Sequence, residues 1–300
     1  MDGPDIVTVK RERSVSNSEA DVIKIKRSQT PDDIMSAILK EENRKREKRH
    51  VSHGCHLVEG KMKHGMEDCL VATCKKIDGH DLGLYAIFDG HSGRDVAQYL
   101  QTHLFHNILN QPDFWRSPKE AVRRAYEETD KDILENVVGS RGGSTAVTAI
   151  VIDGEKVVVA NIGDSRAVVC RNGEAKQVSV DHEALKEKKM VESKGGFVSH
   201  KPGNVPRVDG QLAMTRAFGD GRLKAHITSR PDIAIETIDE HTEFIVLASD
   251  GVWHVMSNEE AVDCIRGMKD GGEAAKDLIN QALSRGSKDD ISCVVVLFQD

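Results

Sequence analysis

A chain of 300 residues that is 38% hydrophobic, 4% aromatic and 30% charged has room for one large folded body or two small ones with a modest aromatic core. Its formal charge of −7 is unevenly spread: residues 1–50 carry 12 Lys and Arg against 10 Asp and Glu, while the rest carries 30 against 39. That acidic balance excludes a nucleic-acid partner, which calls for a basic footprint, and no apolar run nears the ~18 residues of a membrane span.

The N-terminal fifty residues are polar, rich in charge and serine, and show no sustained strand pattern; 1–31 read as disordered. Asp2 excludes N-myristoylation, and the start has no secretory apolar region. Pro31-Asp32-Asp33 opens a short helix with Ile34, Met35, Ile38 and Leu39 on one face, running into Arg44-Lys45-Arg46-Glu47-Lys48-Arg49. That basic run reads either as a solvated helix end or as a nuclear import signal. From residue 51 the expected strands are 55–58, 69–75, 83–88, 145–152, 156–161, 166–170, 244–248 and 292–298. The expected helices are 93–110, 117–138, 183–194, 258–268 and 271–285. Asp153-Gly154 and Asn172-Gly173 join strands through short turns, which implies antiparallel hairpins. Two antiparallel sheets packed face to face with helix pairs outside accommodate the pattern, an α+β chain. Six cysteines (55, 69, 74, 170, 264, 293) without Cys-x-x-Cys spacing read as buried free thiols of a reducing compartment, so the expected location is cytoplasmic or nuclear.

Two apolar runs end in an aspartate followed by glycine: Leu84-Tyr85-Ala86-Ile87-Phe88 before Asp89-Gly90, and Phe244-Ile245-Val246-Leu247-Ala248 before Ser249-Asp250-Gly251. A strand carries such an aspartate to the edge of a core, and the glycine lets another group approach the backbone. Asp-Gly is equally the commonest hairpin turn, and Asp78-Gly79, Asp153-Gly154 and Asp209-Gly210 read that way. Two more carboxylate clusters open strands: Met66-Glu67-Asp68 before Cys69-Leu70-Val71, and Lys288-Asp289-Asp290 before Ile291-Ser292-Cys293. Oxygen-only clusters of this kind suit hard divalent cations.

With Gly142-Gly143-Ser144-Thr145-Ala146, Asn161-Ile162-Gly163-Asp164-Ser165-Arg166 and Arg207-Val208-Asp209-Gly210 through Ala217-Phe218-Gly219-Asp220 between these clusters, the chain resembles the metal-dependent serine/threonine protein phosphatases of the PP2C type (the PPM family). The resemblance runs from about His53 to Phe298 and is nearest the short plant members. It implies an αββα sandwich over 51–300, a flap at about 181–206, and a 1–50 extension outside the domain. It also implies phosphoprotein substrates, a monomer, and two Mg²⁺ or Mn²⁺ ions. By resemblance Asp89 bridges both ions, the Gly90 carbonyl and Glu67 serve one, and Asp250 and Asp289 serve the other. The resemblance also makes His91 the expected general acid and puts Lys63 where the family's residue meets the substrate phosphate.

Four positions depart from the family pattern: Lys63 stands for the usual arginine, Ser92 for glycine, Asp290 for asparagine and His254 for aspartate. The aspartates matching Asp164 and Asp250 help hold a third, weaker ion in the family. Histidine at 254 removes a carboxylate from it and puts that ion in question. The flap lacks the tryptophan of hormone-receptor-coupled plant members, the only tryptophans being Trp115 and Trp253. An active phosphatase is the leading reading. A catalytically weak phosphoprotein-binding scaffold is the alternative, and a metal-dependent nuclease fails on charge.

Overall fold

The central strands are apolar on both faces, and the fold uses both. In the computed structural model, which describes residues 49–137 and 141–299, one antiparallel sheet has the order β13-β7-β6-β3-β2. Its strands are β2 (Cys69–Ile77), β3 (His80–Phe88), β6 (Ala146–Ile152), β7 (Lys156–Ile162) and β13 (Asp232–Thr237). The second, also antiparallel, has the order β1-β15-β14-β8-β9. It contains β1 (His50–Val58), β8 (Arg166–Arg171), β9 (Glu174–Gln177), β14 (Thr242–Ala248) and β15 (Ile291–Gln299). Alternate residues of these strands fill three layers. Tyr85, Ile87, Val147 and Ala149 of the first sheet interleave with Val169, Ile245, Leu247 and Val294 of the second.

The opposite faces bury against helices, so the expected α+β sandwich is the observed architecture. Leu84, Ala86, Phe88 and Ile150 pack on Leu100, Leu104 and Ile108 of α1 (Asp95–Leu109) and Ala125 and Tyr126 of α2 (Pro118–Asn136). Val246, Ala248, Cys293 and Val295 pack on residues of α5 (Asn258–Ile265) and α6 (Gly271–Ser284). Helix starts follow local chemistry. Pro118 opens α2, Ser257 and Glu260 form a reciprocal capping box on α5, and Asp270 Oδ1 accepts from Gly272 and Glu273 on α6. The hairpin turns need left-handed residues, which Asp78-Gly79 (φ 52°, 85°) and Asn172-Gly173 (φ 51°, 77°) supply.

Several expectations are corrected. The helix expected at 183–194 is confined to α3 (Lys188–Ser193), because Glu183 bridges to Met214 and Ala184 N–H donates to the Ala213 carbonyl. Strand β1 starts at His50, not 55, and β9 and β13 were not expected. Of the cysteines expected to be buried, Cys69, Cys170 and Cys293 are, but Cys55 and Cys74 are exposed; all six are free thiols. The disorder expected at 1–31, the helix from Pro31 and the basic run up to Lys48 lie outside the described residues.

Short pairings complete the frame: β4 (Gly90–His91) and β12 (Phe218–Gly219) both pair with β5 (Gly143–Ser144), and β10 (Val198–Ser199) pairs with β11 (Arg207–Val208). Alongside the latter, Val191, Val208, Leu212, Met214 and Ile227 form a small separate core, within and just beyond the segment read as a flap.

Candidate active site

Strand registers gather the acidic motifs at one end of the sandwich. Phe88 pairs with Cys69, which brings the end of β3 beside the start of β2, and so Asp89 beside Glu67-Asp68. Ala248 pairs with both Cys293 and Arg166, so Asp250, Asp289-Asp290 and Asp164 gather at the matching end of the second sheet. The glycines read as points of close approach behave so: a Cβ on Gly90 would lie 2.6 Å from the Glu67 carbonyl, and one on Gly251 2.4 Å from the Asp290 carbonyl. Asp250 opens the single turn α4 (Asp250–Trp253), where the Trp253 indole N–H donates to the Ala248 carbonyl at 2.9 Å and fixes the turn to the strand end.

Charge dominates this end. Burial lifts Asp89 well above the usual carboxylate range, and the charges of Asp68, Asp250, Asp164 and Asp289 lift it further. Asp250 is lifted in the same way, by burial and then by Asp164, Asp289 and Asp68. Asp164 is raised by burial, against lowering by its own backbone N–H and His254. Asp68, expected only as a neighbour of Glu67, is buried and raised to about 6 by burial, partly offset by hydroxyls of Ser292 and Ser249. Ser292 Oγ donates to Asp68 Oδ2 at 2.6 Å, while Asp68 Oδ1 and Asp164 Oδ1 are buried with no partner. Among the described residues no Lys or Arg forms an ion pair with Asp68, Asp89, Asp164, Asp250 or Asp289; only His254 approaches, its Nδ1 3.5 Å from Asp250 Oδ2.

Buried, mutually repelling carboxylates with orphaned oxygens and no basic partner would be stabilised by a cation as they are by protons, and an all-oxygen donor set fits Mg²⁺ or Mn²⁺. Among the described residues no three of these groups converge closely enough to ligate one ion directly.

The other expected residues fall around this cluster. Glu67 Oε1 accepts the Gly93 N–H at 2.5 Å, and Oε2 lies 3.4 Å from His64 Nδ1. His91 Nε2 lies 2.7 Å from Oδ2 of buried Asp220, with the imidazole part-exposed. Lys63 sits exposed in the turn before β2, a turn held by the Lys61 N–H donating to the Lys288 carbonyl at 2.7 Å. His254 is 62% exposed and lines, with Asp164, Asp250 and Leu185, a cavity of about 310 Å³.

Three supports make contacts that the sequence does not announce. Asp220 ends the Ala217-Phe218-Gly219-Asp220 motif, whose role as a partner for His91 spans 129 positions. Asp290 accepts the Gly60 N–H on one oxygen and the Glu67 N–H on the other, both at 2.7 Å, so both oxygens act as acceptors. An asparagine there would offer only one acceptor oxygen. Buried His182 accepts the Gly163 N–H on Nδ1 at 3.1 Å and meets Asp232 with Nε2, holding the turn that carries Asp164.

The profile of the family described as Protein phosphatase 2C matches residues 49–291. The chain belongs to the protein phosphatase 2C family. It is 67% identical over 252 residues to probable protein phosphatase 2C 28 of Arabidopsis thaliana, covering 84% of this chain and 74% of the relative. To probable protein phosphatase 2C 58 of the same plant it is 61% identical, covering 83% and 89%. Among solved structures, a Caenorhabditis elegans sex-determining protein superposes with a TM-score of 0.73 at 26% identity, over 89% of this chain and 71% of that one. A serine-threonine phosphatase 2C from Toxoplasma gondii superposes with a TM-score of 0.72 at 23% identity, covering 83% and 95%, a likeness of fold. The sandwich is thus that of the phosphatase 2C structures, and the chain is a protein phosphatase of plant type.

Proposed function

We propose that this phosphatase hydrolyses phosphoserine and phosphothreonine in proteins with two Mg²⁺ or Mn²⁺ ions held by the carboxylate cluster. One observation carries the reading: five aspartates crowd the end of the sandwich with no Lys or Arg paired to them among the described residues, beside a histidine braced by Asp220. Asp89 would be shared between the ions, with the Gly90 carbonyl and Glu67 on one side and Asp250 and Asp289 on the other. Asp164 with Asp250 would offer a third, weaker position. When bound, the ions supply a water acidified toward neutral pH and offset the phosphoryl charge.

The chain's own groups do the rest. Glu67, with Oε1 taken by the Gly93 N–H, would offer Oε2, which lies 3.4 Å from His64 Nδ1, to an ion or its water. Lys63 supplies a positive charge for the phosphate but without the bidentate fork of an arginine. Cleavage breaks the bond between phosphorus and the serine or threonine oxygen, and the departing alkoxide needs a proton. With His91 Nε2 engaged by Asp220, Nδ1 has no hydrogen-bond partner among the described residues and is the nitrogen from which that proton can come.

Release of phosphate from a phosphothreonine peptide tests this directly. Turnover should require Mn²⁺ or Mg²⁺, stop in EDTA and fail to return with Ca²⁺. Phosphopeptide that binds in Mn²⁺ but releases no phosphate would overturn the reading in favour of a scaffold.

A further inference from the structure

On the flank of the His91–Asp220 pair lies a cavity of about 320 Å³, lined by Ser92, Arg141, Gln211, Asp220, Arg222 and Leu223. It adjoins the proposed acid on two sides, since Ser92 follows His91 in the chain and Asp220 contacts its ring. Its two arginines come from separate segments. Arg141 leads into β5, and Arg222 follows Asp220 by two residues. Both are exposed, and among the described residues neither forms an ion pair or a side-chain hydrogen bond. Several other arginines pair with carboxylates, Arg166 with Asp181, Arg171 with Asp239 and Arg216 with Glu187, whereas Arg141 and Arg222 share one cavity. The one carboxylate in the cavity, Asp220, has an oxygen committed to His91. In a body carrying excess acid, two guanidinium groups beside the reaction centre, without a paired carboxylate among the described residues, form a local anion-attracting field.

Resting on the phosphatase reading above, we propose that Arg141 and Arg222 form an accessory anion subsite. It takes a second acidic side chain of the substrate, flanking the phosphoresidue whose ester is cleaved. Guanidinium groups match phosphoryl and carboxylate oxygens through paired N–H donors. Two of them favour a dianionic phosphoryl group over a single carboxylate, so the preferred substrates are multiply phosphorylated segments, with acidic ones second.

The test compares phosphothreonine peptides that differ only two residues before or after the phosphothreonine. These positions carry alanine, aspartate or a non-hydrolysable phosphonate analogue of phosphoserine, so that only one ester can be cleaved. On the full-length chain with Mn²⁺, the phosphonate in one of the two positions should raise kcat/KM about tenfold over alanine, with aspartate between them, as expected of two partly exposed charge pairs. The gain should shrink with added salt. In the Arg141→Ala/Arg222→Ala double variant the phosphonate-to-alanine ratio should fall to about one, and Arg222→Glu should invert the preference. Equal kcat/KM across the panel for the wild type, or a ratio unmoved in the double variant, makes the arginines ordinary solvated charges and overturns the proposal. Failure of the parent reading shows separately, as no Mn²⁺-dependent cleavage of p-nitrophenyl phosphate by the wild type. Anisotropy binding of the labelled phosphonate and alanine peptides then still decides the subsite.

Discussion

At Gly143 the site has no room for even one methyl group. A Cβ there would lie 2.2 Å from Asp220 Oδ2, 2.5 Å from His91 Nε2 and 2.6 Å from the Phe218 carbonyl. Gly143→Ala should therefore drive a wedge into the contact that orients the proposed acid. A threonine alkoxide is a poor leaving group and needs the proton; p-nitrophenolate leaves without one. The variant should lose turnover on a phosphothreonine peptide about a hundredfold, while p-nitrophenyl phosphate suffers far less. Comparison of kcat on the two substrates reads this out, with unfolding followed alongside because overpacking costs about 1–3 kcal/mol. An equal loss on both would mean that His91 does not serve the leaving group. The sequence announced Asp89, Asp250, Glu67 and Asp289 because each lies at the edge of an apolar run. Asp220, Asp290 and Gly143 matter through contacts made across the fold, and nothing in their immediate sequence says what they touch.

Helix α2 reaches the site through one carboxylate. Asp130 accepts the Gly219 N–H on Oδ1 at 2.9 Å and holds Lys224 Nζ on Oδ2 at 2.8 Å, while Lys224 also donates to the Ala217 carbonyl at 2.7 Å. Burial pulls the Lys224 ammonium below its ordinary range, against the attraction of Asp130. The turn before Asp220 is thereby clamped to a helix in the outer layer. Asp130→Ala should strand both the ammonium and the N–H, costing about 2–4 kcal/mol; Asp130→Asn, which retains an acceptor, should cost roughly half that. Urea unfolding gives both values, and equal losses would assign the effect to packing. The same scale separates what could be read in advance from what could not. Central strands β3, β6, β14 and β15 are covered on both faces, so their sequences are continuous apolar runs. The strands missed or shortened, β1, β9 and β13, are sheet edges, where polar and charged residues discourage further pairing and erase the pattern. The segment at 183–194 had a helical composition, but its first residues are taken up in tertiary pairing.

For the whole molecule, the acidic cluster sets a stability that depends on pH and on metal. Burial and like charge raise Asp89 in the folded state, so without metal the folded protein keeps a proton that the unfolded chain has already lost. Stability then falls as pH rises from the ordinary carboxylate range through the raised folded value, and Asp68, raised to about 6, acts in the same sense. Asparagine at 89 has no such proton to lose. In EDTA at pH 7, Asp89→Asn should be more stable than the wild type by about 1–3 kcal/mol, and the difference should vanish near the ordinary carboxylate range. Saturating Mn²⁺ should reverse the order, since ligand at a hundredfold over its Kd adds ~2.7 kcal/mol to whichever protein binds it. Urea titrations at both pH values, with and without Mn²⁺, measure every part. A mutant weaker than the wild type in EDTA at pH 7 would show that the protein itself compensates the Asp89 charge.

Asp89 and Glu67 extend from strands of one sheet, Asp250 and Asp289 from the other. An ion shared across that division would be a rivet through two plates otherwise joined by an oily seam and a few hydrogen bonds such as that of Ser292 to Asp68. Anything that tightens the seam must then tighten the ion by the same free energy, and the ion in turn must tighten the seam. Supply of free Mg²⁺ or Mn²⁺ would accordingly govern how long each molecule survives a protease, as well as how many are working at a given moment.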